Sequence, residues 1–178
     1  MLNRVNQQER LSMNERLKFF LAGFIEGEGS LTISLKAHPT CKFGYYVDPE
    51  FFLYQHESGR KLLEMAQQLF QTGRIAPKSG NEKVLVYGIT SRRSIVEKII
   101  PYFEKYIVPY SAKTETFYRF KEICDLMEQG EHKTAKGLVN IVEKAYKMNP
   151  YSKGRERTRS IEEVCERILR DYTPETEE

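Results

Sequence analysis

The chain has no tryptophan, three histidines and three cysteines among its 178 residues, and its apolar runs are only a few residues long. No segment is apolar enough to suggest a transmembrane span. The opening stretch MLNRVNQQERL lacks the apolar core of a signal peptide. Cys41, Cys124 and Cys165 are too few and too widely spaced for a zinc site or a disulfide framework, so they are expected to be reduced thiols of an intracellular protein. His38, His56 and His132 show no metal-ligand spacing. The sequence also has no P-loop, no dinucleotide-binding glycine fingerprint and no signature of a serine or cysteine nucleophile.

What remains is a sequence with 40% hydrophobic and 30% charged residues, long enough for one domain with its own core. Residues 1–172 read as that single domain and 173–178 as an acidic disordered tail. The formal charge of +3 is unevenly placed: residues 91–160 carry +6 and the last eighteen −5. A basic body suggests a polyanionic partner, although a solvated surface would look the same.

Leu17, Phe20, Leu21, Phe24 and Ile25 follow the helical period, with Asn14 as N-cap and Gly27 and Gly29 at the end. Ser30 to Lys36 then alternates polar and apolar, the pattern of a half-buried strand. Tyr45 to Gln55 reads as a second strand, with Pro49 requiring an edge or a bulge. A helix over 60–70, a hairpin over 73–89 turning at Ser79-Gly80-Asn81, and helices over 92–106, 112–129, 133–147 and 161–171 complete the chain. Pro101 is expected to shorten or kink the first of these. The basic loop 152–159 precedes a capping box at Ser160 and Glu163. The order αββαββα, followed by C-terminal helices, predicts an α+β fold. Its four-stranded antiparallel sheet carries helices on one face.

One segment stands apart from core patterning: Leu21 to Gly29, LAGFIEGEG. Glu26 and Glu28 occupy a helix C-terminus, where the dipole disfavours negative charge by roughly 0.3–1 kcal/mol each. A hard divalent cation would offset this, using carboxylates and the unpaired carbonyls of the helix end. A glycine-capped helix with two exposed glutamates is the plainer alternative. Ala22, Gly23 and Gly27 are small, and Gly23 and Gly27, four residues apart, share a helix face on which a second helix can pack closely; if it comes from another copy of the chain, Phe20, Ala22, Gly23 and Gly27 are the expected interface.

These nine residues resemble the LAGLIDADG motif of homing endonucleases. The likeness extends over about residues 14–130, through the two strands, the hairpin beginning Gly73-Arg74-Ile75, and the IIPYF segment followed by a lysine-bearing helix. The resemblance implies the family's saddle-shaped sheet and a single-motif homodimer. Such a dimer cuts both strands of a long pseudo-palindromic DNA target, leaves short 3′ overhangs, and is typically intron-encoded. It implies that Glu28, with the Gly27 carbonyl, binds Mg²⁺, with Mn²⁺ able to serve and Ca²⁺ as a non-catalytic substitute. Gln55 would orient water, and Lys113, or Ser111 two residues earlier, would stand in the basic pocket. Gly59 occupies a place where family members often carry a basic residue, with Arg60 beside it.

A sheet laid in the major groove would present Ser30, Thr32, Ser34, Lys36, Tyr46, Asp48, Glu50 and Phe52, extended by Arg74, Lys78, Lys83 and Tyr87. Asp48 and Glu50 would accept hydrogen bonds from cytosine amino groups. Two other readings of the same fold are an RNA maturase acting on its own intron and a DNA-binding protein without catalysis. The compartment implied is an organelle or the bacterial cytoplasm, with no membrane partner.

Overall fold

The computed structural model describes residues 13–148 and 159–170. The basic loop 152–159, apart from Arg159, and the acidic tail both lie outside these. Helix α1, Met13–Glu28, begins before Asn14, which therefore sits inside its first turn and is not its cap. It runs directly into β1, Gly29–Ala37. Gly29 makes this junction possible, because a Cβ there would lie 2.4 Å from the Ile25 carbonyl oxygen.

β1 pairs antiparallel with β2, Tyr45–His56, in an unbroken register from Gly29 opposite Leu53 to Ala37 opposite Tyr45. Helix α2, Arg60–Phe70, leads to β3, Arg74–Lys78, and β4, Asn81–Ile89. The sheet order is β1-β2-β4-β3. β2 is central only in part: Phe51–His56 pair with β4, whereas the preceding half pairs with β1 alone. Pro49 lies in that half, so its missing N–H falls where no second partner strand exists.

Residues 92–107 form a continuous helix, α3, that crosses Pro101 without stopping. Wide i→i+5 turns over Ile95–Ile99 and Phe103–Ile107 flank the proline. Pro101 has no N–H to give and its ring crowds the preceding turn, and a widened turn accommodates both. Helices α4, Thr114–Glu128, α5, Ala135–Lys147, and α6, Ile161–Arg170, follow. The α6 capping box forms, with Glu163 N–H donating to Ser160 Oγ and Ser160 N–H to Glu163 Oε2.

Alternate residues of the strands, Leu31, Ile33, Phe51, Leu53, Leu85, Tyr87 and Ile89, enter one hydrophobic cluster with the helices. Phe51 lies at its centre, edge-on to Phe70, Tyr87 and Phe103. The helices thus cover one face of the sheet. The C-terminal helix also holds the β1–β2 loop: Arg167 stacks 5.3 Å from the Tyr45 ring and packs against Gly44, whose φ of +71° needs glycine.

Candidate active site

The end of α1 sets the geometry of the site. Glu28 is the helix's last residue and is exposed, while Glu26, two residues earlier, is half-buried. Ser111 Oγ donates to Glu26 Oε2 at 2.8 Å, and Lys113 Nζ donates to the Glu26 carbonyl at 2.6 Å. Lys113 N–H in turn donates to Ser111 Oγ at 2.8 Å. The segment before α4 therefore clasps the helix end through two residues that the sequence offered as alternatives. Ser111 is tied to Glu26, and Lys113 supplies the cation beside the motif, answering the negative end of the helix dipole.

Gln55 lies on β2, two residues beyond Leu53, the residue that opposes Gly29 at the start of β1. Its Oε1 accepts from His56 N–H at 2.8 Å, which fixes the side chain and leaves the amide NH₂ as a donor. Gly59 packs directly on it, and a Cβ there would stand 2.5 Å from Gln55 Cγ. A basic side chain at 59 would displace the glutamine. Arg60 is engaged elsewhere, its Nε donating to Glu64 Oε1 at 2.8 Å on the exposed side of α2.

The outward face of α1 is open. A Cβ on Gly23 or Gly27 would meet nothing within 4 Å, and Phe20 is 55% exposed. Ala22 is different: it is 5% exposed and belongs to the protomer's own core, which corrects its assignment to a dimer face.

The sheet face opposite the helices carries most of the residues expected to meet DNA, with corrections. Tyr87 is fully buried on the helix side, its hydroxyl donating to the Thr72 carbonyl at 2.7 Å, and burial raises its pKa well above the usual phenol range. Lys83 lies at the exposed start of β4, where the register with β3 shifts and no pairing assigns it to the open face. Glu50 is on the open face but only 7% exposed, because Lys36 Nζ lies over it at 2.9 Å. It is thereby unavailable to a cytosine amino group. Ser34 Oγ is fully covered and has no hydrogen-bond partner among the described residues, so it too is not presented to a ligand.

Asp48, 3.8 Å from Lys36, has its pKa raised by burial, with Lys36 opposing the shift. Lys36 is thus shared between two carboxylates, Glu50 and Asp48, beside exposed Tyr46 at the end of the face far from Glu28. Ser30, Thr32, Phe52, Arg74 and Lys78 remain on the open face.

Phe52 was expected on this face; what sequence reasoning missed is the cleft it shares with the apolar residues of β3 and β4. Phe52 and Tyr54, with Ala76, Val86 and Gly88, floor a cleft of about 850 Å³, rimmed by Arg74 and Lys78. In β4 both faces are apolar, Val84 and Val86 on one and Leu85, Tyr87 and Ile89 on the other, so alternation alone leaves the phase of the strand open.

A model of the LAGLIDADG endonuclease family matches residues 21–124, a span that includes the α1 junction, the whole sheet and Lys113. The chain belongs to the LAGLIDADG endonuclease family. The DNA endonuclease I-CeuI of Chlamydomonas moewusii is 43% identical over 143 residues, which are 79% of this chain and 66% of that protein, just under two thirds of its length. The solved structure of I-CeuI, described as a group I intron-encoded homing endonuclease complexed with DNA, superposes with a TM-score of 0.81 at 37% identity, over 90% of this chain and 79% of the other. The archaeal intron-encoded homing endonuclease I-Vdi141I, also complexed with DNA, gives 0.79 at 30% identity, covering 86% of this chain and 95% of its own. I-SmaMI, bound to an uncleaved DNA target in the presence of calcium ions, gives 0.68 at 25% identity over 83% of this chain and 47% of that one. The LAGLIDADG segment is therefore the C-terminal half of α1 and its junction with β1, the element to which Lys113 is hydrogen-bonded.

Proposed function

We propose that this protein is a site-specific double-strand DNA endonuclease. It acts as a homodimer, hydrolyses phosphodiester bonds at a long pseudo-palindromic target with a divalent metal, and leaves short 3′ overhangs. One observation carries the reading: an exposed carboxylate, Glu28, ends a helix whose outer face is open at Gly23 and Gly27 and whose junction begins the uncovered side of the sheet. The relatives that are intron-encoded DNA endonucleases support it.

The residues fit a hard cation. The Glu28 carboxylate and the Gly27 carbonyl are oxygen donors at a helix end, suited to Mg²⁺ or Mn²⁺ and also to Ca²⁺. Among the described residues no group of three or more His, Cys, Asp or Glu could enclose a metal. One chain therefore supplies part of a coordination shell, and DNA phosphates, water and a second copy would complete it. When bound, the ion supplies charge neutralisation at the scissile phosphate and a more acidic water.

The chain's own groups do the rest. Gln55, fixed by His56 N–H and crowded by Gly59, orients water through its amide NH₂. Lys113 holds a positive charge at the same helix end, where extra negative charge develops on the phosphate. One motif serves one strand, so cutting both requires two copies related by a twofold axis. The protein would work in the compartment holding its target, an organelle or the bacterial cytoplasm. No helix among the described residues is long and apolar enough to cross a membrane.

The test is incubation of the purified protein with a randomised duplex library in Mg²⁺ and, separately, in Ca²⁺, followed by sequencing of cut ends. Cleavage at one long pseudo-palindrome in Mg²⁺ alone is the expected result. Selective binding without cleavage would make it a DNA-binding protein only, and selective binding of intron RNA instead would make it a maturase.

A further inference from the structure

The proposed DNA face has an unequal chemistry along its length, and the inequality points to what it reads. At its outer end, the one basic group of β1, Lys36, is spent on Glu50 and Asp48. Next to Glu28, by contrast, one cross-strand row runs Ser30, Phe52, Gly88 and Arg74, each opposite the next in the register. The row behind it holds Tyr54, Val86 and Ala76. The floor of the cleft is thus apolar where a base reader would ordinarily carry amides or guanidinium groups.

The ring of Phe52 is held in place. Gly88 lies opposite it, and a Cβ there would stand 3.0 Å from Phe52 Cε1, so the ring packs directly against the glycine. Tyr54 braces its other side, with ring centroids 6.3 Å apart. Lys78 Nζ sits 5.6 Å from the Tyr54 ring, and neither Lys78 nor Arg74 has a carboxylate partner among the described residues. Two uncompensated cations flanking an apolar floor match a duplex groove with phosphates at its rim, wherever an apolar group stands among the polar base edges. In the major groove the one apolar group on a base edge is the C5-methyl of thymine.

Resting on the endonuclease reading above, we infer that the Phe52, Val86 and Ala76 floor reads thymine C5-methyl groups at the inner part of each half-site, beside the cleavage position. Arg74 and Lys78 hold the flanking phosphates without specifying sequence. Specificity at these positions is then apolar and depends on a single methyl group. It differs in kind from the hydrogen-bonded readout available to Ser30 and Thr32.

The experiment uses two randomised duplex pools, one synthesised with thymine and one with uracil in its place, which removes the methyl and nothing else from each A·T pair. Selection by the wild-type protein in Ca²⁺ should enrich thymine at fixed inner positions of the first pool. The uracil pool should lose that preference. In the selected site, replacing one inner thymine by uracil should weaken binding about fourfold, the effect of one buried methyl group. Cytosine there should bind less tightly than 5-methylcytosine, which restores the methyl on a different base. F52S should bind the thymine and uracil sites equally.

Enrichment at the same inner positions from both pools, or an undiminished affinity for the uracil site, overturns the inference while leaving sequence-specific DNA binding intact. Failure to enrich any sequence overturns the inference and the endonuclease reading together. The comparison of thymine with uracil is made on the wild-type chain, so it decides the question even if the Phe52 variant does not fold.

Discussion

Replacing Gly23 by leucine should strengthen the protomer and break the dimer. In the single chain a Cβ at this position meets nothing within 4 Å, so the new side chain points into open space. Exchanging glycine for leucine within a helix is favourable by roughly 0.8 kcal/mol. The urea midpoint of the monomeric protein should therefore rise. In a dimer packed along this face the same side chain enters twice, because a twofold interface repeats every substitution. Wedging a leucine into a close helix contact costs about 1–3 kcal/mol per site, or about 2–6 kcal/mol for the pair. Dimer affinity would then fall by roughly 30-fold to 10⁴-fold. Sedimentation equilibrium measures the association constant, and urea unfolding at low concentration measures the protomer. An unchanged association constant would show that the interface lies elsewhere. A lowered urea midpoint would show that the outer face of α1 is covered within the protomer itself.

Glu28→Gln should keep the fold and the oligomeric state and reduce Mg²⁺-dependent cleavage at least about 100-fold, the upper loss seen for groups that merely orient a metal ligand; wild-type cutting in a plasmid assay would remove Glu28 from its role. Tyr87→Phe should cost about 1 kcal/mol in unfolding for the lost hydrogen bond to the Thr72 carbonyl, with DNA affinity unchanged. A selective loss of DNA binding would contradict its burial. Burial, with repulsion from Arg92 and Lys133, holds the His132 imidazole below the ordinary histidine value of about 6.5. The unfolded chain therefore binds the proton more readily, so stability from this group is intact above that value and is lost as pH falls below it. His132→Asn should flatten the decline of the urea midpoint between neutral pH and about pH 5, and an unchanged slope would assign the decline to other groups.

The arrangement of helices and strands was legible because period and punctuation agreed. Leu17 to Ile25 has the helical spacing, Ser30 to Lys36 the strict alternation, and Ser79-Gly80 the turn chemistry that separates β3 from β4. The motif was legible as residues at the end of such an element, and Lys113 as a cation in the segment that is tied to that end. Less was visible where both faces of a segment are apolar. Tyr87 looks in sequence like an amphipathic groove residue, yet it is core because β4 pairs Leu53 with Tyr87 and not with its neighbour. Glu50 alternates correctly to the open face, and only the three-dimensional approach of Lys36 from β1 closes it off. Pro101 signals a break in sequence, whereas the packing of Ile100, Tyr102 and Phe103 into the core carries the helix through it.

The grip of Arg167 on Gly44 and Tyr45 also bears on how small this protein can be made. The family match ends at residue 124, yet Leu138, Ile141, Val142, Val164 and Ile168 belong to the same buried cluster as the sheet. A fragment cut after α4 would uncover that cluster and release the β1–β2 loop from the side chain that holds it. The smallest autonomous folding unit therefore runs through α6. Shortened versions for transplantation into fusion enzymes should keep residues to 170, even though the residues proposed for DNA contact and cleavage all lie before 114.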